Sequence, residues 1–166
     1  MSNLQINIVV ETSLLLEEHP NVSMDIDNPA PLSNHYACLV ITGEKEKIKG
    51  LKKNKLSVER TSVDELSFNV VSVSGNFDNP VVLYDFTVDE GNDILEPLSI
   101  FSTEIDTIVP ERFNPLETAT VKRVFSTNKC TILTSGKGSF GVRFAVFDDD
   151  LAIAGYFEFP VLLSVK

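Results

Sequence analysis

The side chains able to do chemistry in this chain gather in short, oxygen-rich stretches. Asp25, Asp27 and Asn28 form one group, and Asn76, Asp78 and Asn79 a second. Asp89, Asn92 and Asp93 follow, and Asp148, Asp149 and Asp150 make the last. Calcium takes several carboxylate and amide oxygens, typically from loops that a rigid scaffold brings together. None of these stretches follows the twelve-residue calcium loop, and aspartate and asparagine also form turns for purely backbone reasons. Asp25, Asp27, Asn76 and Asp78 are the ligand or metal candidates, and calcium is the ion their oxygens suit. Tyr84 and Tyr156 are the candidates for stacking on a sugar. Both fall within alternating apolar stretches, where packing across a sheet is the commoner role.

Catalytic chemistry finds little support. A Ser-His-Asp arrangement needs a histidine, and only His19 and His35 are present, in or beside one proline-rich loop. Ser135 and Ser139 flank glycines without forming a nucleophile elbow. Ser135-Gly136-Lys137-Gly138 lacks phosphate-loop spacing and leads into an apolar alternating run rather than a helix. No catalytic residue is assigned, and the expectation is a protein that is not an enzyme. Cys38 and Cys130 are the only cysteines and have no partner at metal-ligand spacing. Cys38 lies in the apolar run from Tyr36 to Ile41, so a buried thiol is expected there, and no disulfide.

The elements that must position these groups are strands. Leu4, Ile6, Ile8 and Val10 alternate with Gln5, Asn7, Val9 and Glu11, a half-buried first strand. Thr12 to Glu18 suits one or two helical turns, with Thr12 or Ser13 as N-cap. His19 to Asn34 carries Pro20, Pro29 and Pro31 and reads as ordered loop. Strands are expected over Tyr36 to Thr42, Leu56 to Arg60, Leu66 to Val73 and Val81 to Val88. Ile94 to Phe101 reads as extended at an edge, because of Pro97. Ser102 to Leu116 reads as a long surface loop, followed by short strands at Ala119 to Phe125 and Thr131 to Leu133. The chain closes on an apolar hairpin. Val142, Phe144 and Val146 share one side, and after the turn at Asp148 to Asp150, Leu151, Ile153, Phe157 and Phe159 share another. A ribbon this apolar must be covered by a second sheet. About eight short strands with turn-rich connections indicate an all-β fold: an antiparallel two-sheet β-sandwich, jelly-roll-like, with at most one short helix. One domain spanning 1–166 is expected, since no linker breaks the pattern.

Composition sets the outer limits. The 166 residues are 43% hydrophobic and 23% charged, with a formal net charge of −10, ordinary for a folded soluble chain. That charge opposes binding to nucleic acid or anionic membranes. The one basic stretch, Lys45, Lys47, Lys49, Lys52, Lys53 and Lys55, is interrupted by Glu44 and Glu46 and reads as a solvated loop. No stretch approaches membrane-spanning length, and the opening residues lack a secretory pattern. The cytoplasm is therefore expected, and the Asn21-Val22-Ser23 sequon carries no weight there.

Several stretches together resemble the bacterial inclusion-body proteins of the PixA/AidA type, over nearly the full length. They are Ile6-Asn7-Ile8-Val9-Val10, Asn28-Pro29 with Asn34-His35-Tyr36, and Ser72-Val73-Ser74-Gly75-Asn76 with Val81-Val82-Leu83-Tyr84-Asp85-Phe86. The most specific are Val142-Arg143-Phe144-Ala145-Val146-Phe147 and Gly155-Tyr156-Phe157-Glu158-Phe159-Pro160. Glu11 stands where many relatives have aspartate, and Phe159-Pro160 lacks the intervening aspartate of the usual ending, which marks a divergent member. The resemblance implies a cytoplasmic β-sandwich, often abundant in late growth or under density control, some members forming crystalline inclusions, and no enzymatic activity. For some relatives it implies calcium-dependent sugar binding. The leading expectation is a self-associating inclusion-body protein, a homodimer, with a storage, stress or density-regulated role. The alternative is a calcium-dependent, lectin-like carbohydrate-binding module.

Overall fold

The computed structural model describes residues 3–20, 22–42, 48–61, 63–91, 93–111, 113–114 and 116–166, with 48–52 described by backbone. Asn21 of the sequon, Lys45, Lys47, Glu44, Glu46 and Asn92 lie outside the described residues. The elements in order are β1 (Asn3–Val10), α1 (Thr12–Glu18), β2 (Ala30–Pro31), β3 (Ala37–Thr42), β4 (Ile48–Lys52) and β5 (Lys55–Val58). They continue with β6 (Glu65–Ser72), β7 (Val81–Glu90), β8 (Ser99–Pro110), β9 (Thr118–Thr131), β10 (Gly136–Phe147) and β11 (Ile153–Val165).

These strands form a two-sheet sandwich. One sheet runs β3-β1-β6-β9-β8, the other β4-β5-β11-β10-β7, with the short β2 also paired to β11. The expected antiparallel pairing holds for most neighbours, but the sheets are mixed. β1 lies parallel to β6, and β11 lies parallel to both β5 and β2. Parallel pairing needs a long crossover, and the stretch from Val10 to Glu65 supplies one.

The alternation read in the sequence builds the core. Leu4, Ile6, Ile8 and Val10 are fully buried, as are Val142, Phe144, Val146 and Phe159 from the facing sheet. Phe86 stacks on Phe140, and Phe144 on Phe157, at ring separations of 5.2 and 5.9 Å. The closing hairpin forms as expected, but with a shifted face. Leu151 sits in the turn at φ +61, and it and Ile153 are exposed, because the β10–β11 register shifts after Val146.

Other expectations change. The helix cap is Glu11, not Thr12 or Ser13, and Thr12 is buried. Cys38 is exposed on the outward side of β3, and Cys130 is the buried thiol. Part of the lysine-rich stretch is not loop: β4 and β5 form a hairpin through Lys53 at φ +56. The expected Ser102 to Leu116 loop is mostly strand, and the two short strands after it are one continuous β9. β8 and β9 pair from Ser99–Lys129 to Pro110–Thr118, yet β9 meets β6 only over Asn128–Thr131. Most of this hairpin therefore extends beyond the sandwich as a two-stranded ribbon.

Candidate functional site

A polar cluster lies on the outward side of β7, β10 and β11. Strand alternation puts Val142 and Phe144 inward and Arg143 outward, and the β10–β11 register sets Arg143 opposite Glu158. Arg143 Nε donates to Glu158 Oε2 at 2.6 Å, and its Nη1 lies 3.5 Å from Asp85 Oδ2. The hydrogen bond it donates to Glu158, then the nearby carboxylate charges, hold the guanidinium pKa above its ordinary value. Thr87 Oγ1 lies 3.3 Å from both Glu158 Oε2 and Gly141 O and donates between them. A Cβ at Gly141 would meet Thr87 Oγ1 at 2.4 Å and Glu158 Cδ at 2.6 Å, so glycine leaves the room this cluster needs.

A β-bulge adds the aromatic part. β7 slips by one residue where Leu83 opposes Phe144 and Asp85 opposes Arg143, leaving Tyr84 as the extra residue. Bulges re-aim side chains, and the Tyr84 ring meets Tyr156 edge-on at 5.6 Å. Burial raises the Tyr84 phenol pKa. Its hydroxyl donates to Ile26 O at 3.0 Å, and Tyr156 N–H donates to Ser23 O at 2.9 Å. A Cβ at Gly155 would meet Val22 Cγ1 at 2.5 Å. Gly155 thus admits the loop, Tyr156 holds its backbone, and Phe157 anchors the strand in the core.

That loop carries Asp25 and Asp27. Asp25 Oδ2 accepts from Asn28 Nδ2 at 2.7 Å and Oδ1 from Asp27 N–H at 3.0 Å, an Asx turn that holds the carboxyl pKa below its ordinary value. The structure therefore brings Asp25, Asp27, Tyr84 and Tyr156 into one neighbourhood. Asn76 and Asp78 belong to a different loop. Asn76 Oδ1 accepts from Ser72 N–H at 2.9 Å and Val81 N–H at 3.2 Å, closing the β6–β7 turn. The Asp78 backbone is tied to Ser72 and Ser74 through their hydroxyls. Among the described residues no group of three or more His, Cys, Asp or Glu stands ready to hold a metal ion. Sequence reasoning missed Asp85, Thr87, Arg143 and Glu158. The signal was available: folding the closing hairpin about its acidic turn sets Arg143 against Glu158.

This architecture, two mixed sheets over an aromatic core with one short helix, is a β-sandwich without a recognisable catalytic constellation among the described residues. The chain matches the PixA inclusion body protein family over residues 2–165. It belongs to that family. Its fold is similar to the crystal structure of the PixA inclusion body protein from Burkholderia cenocepacia J2315, with a TM-score of 0.82. The likeness covers 99% of this chain and 96% of that one at 17% identity, so it concerns the fold. No curated protein matches the sequence. Among the described residues no helix is long and apolar enough to cross a membrane.

Proposed function

We propose that this inclusion-body-family chain is a non-catalytic protein that associates with copies of itself through the β8–β9 ribbon, in a storage or stress role inside the cell. The observation that carries this is the ribbon's two bare faces. The β8–β9 register puts Phe101, Ile105 and Phe125 on one side and Ile100, Ile108 and Val124 on the other. All six are between 46% and 70% exposed. A lone two-stranded ribbon is marginal in water, and apolar patches of this size mark interaction surfaces. Phe113 and Leu116 at its tip are also exposed, so apolar side chains on either face and at the tip are open to a partner. A second copy is the fitting occupant: among the described residues β8 is the outer strand of its sheet, and its edge can pair with the same edge of a copy.

Sedimentation velocity on the full chain and on an Ile105→Glu/Phe125→Glu variant tests this. The wild type sediments as a dimer or larger at micromolar concentration, and the variant as a folded monomer. A monomeric wild type at the highest attainable concentration removes the proposal.

A second reading has its own observation. The loop holding Asp25 and Asp27 is pinned directly onto Tyr84 and Tyr156, which supports a lectin-like site using acidic and aromatic groups together, with calcium at the loop. A glycan array read with calcium and again with chelator decides it. Calcium-dependent binding that Asp25→Ala abolishes supports the site, and silence in both conditions dismisses it.

A further inference from the structure

A cavity opens on the outward face of the β5-β11-β10-β7 sheet, further along the strands from the Arg143 cluster, and it shares no residue with that cluster or with the ribbon. Its volume is about 580 Å³, within the ~300–1,000 Å³ range of small-molecule sites. Strand register builds it. Lys55, Leu162, Ser139 and Glu90 stand opposite one another across the four strands, and Ser57, Ser164 and Lys137 form the next row on the same side. The three serines are short and leave a low floor between the longer side chains of Lys55, Leu162, Lys137 and Glu90. Lys55 and Lys137 are exposed, on opposite sides of β11, and among the described residues neither has a carboxylate within ion-pairing distance. Ser164 lies between them on β11, half-buried, and its hydroxyl makes no hydrogen bond among the described residues. Ser139 is already engaged, since its hydroxyl donates to Asp89 Oδ2 at 3.4 Å. Two lysines against one glutamate leave this lining with an excess of positive charge, on a molecule whose net charge is −10.

We propose that this cavity binds a small monocarboxylate with an apolar chain, its carboxylate held between Lys55 and Lys137 and its chain lying over Leu162. Each part of that ligand answers a feature of the lining. The two ammonium groups and the Ser164 hydroxyl supply donors to the carboxylate oxygens. Leu162 supplies apolar contact, and the methylene stems of the lysines extend it while their charged ends stay in water. Charge alone would hold little here, because an exposed lysine–carboxylate pair contributes at most about 1 kcal/mol. The chain is therefore required. A phosphate finds a poorer match. No arginine fork lines the cavity among the described residues, and the sheet ladder already takes up the backbone N–H groups of the floor. A second negative charge on the ligand would also meet Glu90. A cation would meet the two ammonium groups and is repelled. The inference stands apart from self-association and needs no second copy.

Octanoate is the probe, with acetate and octylammonium as comparisons. Methyl NMR of the full chain reads Leu162 directly. Octanoate produces saturable shifts at the Leu162 methyls. Acetate, which has the charge without the chain, binds about tenfold more weakly or worse. Octylammonium, which has the chain with the opposite charge, produces no saturable shift there. Lys55→Gln and Lys137→Gln each weaken octanoate binding about threefold, and the double variant about tenfold, in line with two exposed ion pairs. Both lysines are exposed, so these variants keep the fold. Ser164→Phe fills the floor and abolishes binding, which gives a second, independent reading. Absence of saturable octanoate shifts at Leu162, equal affinity for octylammonium, or undiminished affinity in the double lysine variant overturns the proposal. Octanoate shifts confined to Ile100, Ile105 and Ile108 would place the chain on the ribbon and overturn it as well. Leu162 shifts on raising protein concentration alone would assign this face to a second copy, with the same consequence.

Discussion

Asn76 occupies the left-handed region at φ +64, where a β-carbon is strained and asparagine is tolerated because its side chain bonds locally. Its amide oxygen serves two backbone N–H groups and its Nδ2 reaches Val81 O. Asn76→Ala therefore loses both the acceptor and the conformational tolerance, and chemical denaturation should show a loss of about 2–3 kcal/mol. Asn76→Gly keeps the tolerance and loses only the hydrogen bonds, so it should fall between wild type and alanine. If alanine costs nothing, the turn does not depend on this side chain. The two thiols make a second contrast at this scale. Burial pushes the Cys130 thiol from about 9 up to about 12, while Cys38 is exposed. At pH 8 a maleimide should label Cys38 alone in the native protein and both residues in denaturant. The sign for stability follows from the raised folded value. The contribution is complete below pH 9 and is lost as pH rises toward 12.

At the scale of elements, α1 lacks any side-chain cap: Glu11 takes the cap position without a capping hydrogen bond from its side chain, and no acidic residue lies in the first turn. A shorter acceptor at this position can reach the free N–H groups that glutamate misses. Glu11→Asp or Glu11→Ser should raise stability by about 0.5–1 kcal/mol, measured by the denaturation midpoint at constant slope. How far the sequence disclosed each element depends on whether one face is buried. β1 and the β10–β11 hairpin were legible because a buried face imposes alternation with period two. The β8–β9 ribbon was not, since Glu104, Ile105, Asp106 and Ile108 follow no single buried side, and the run ends at Pro110. Parallel partners such as β1 and β6 left no trace either, because nothing local encodes a pairing across so long a crossover. The site divides in the same way. The residue types at Asp25, Asp27, Tyr84 and Tyr156 were visible, but their meeting depends on a bulge at Tyr84 and a close approach at Gly155.

At the scale of the molecule, one core joins both sheets, and we propose that the chain unfolds as one domain, giving a single calorimetric transition for the monomeric ribbon variant. The ribbon and the net charge then act against each other. Apolar faces draw copies together, while a charge of −10 at neutral pH holds them apart. Carboxylates take up protons as pH falls toward the sequence pI of 4.6, so the repulsion fades while the apolar surface stays the same. Self-association should therefore strengthen several-fold between pH 8 and pH 5.5, and added salt at pH 7.5 should act in the same direction by screening. Light scattering against concentration, read at both pH values, measures this. The Ile105→Glu/Phe125→Glu variant separates ordered assembly from isoelectric precipitation, because it keeps the acidic surface and loses the ribbon faces. Its scattering should stay low across the range. Should the variant associate as strongly as the wild type near pH 5.5, low net charge alone drives the process and the ribbon has no part in it.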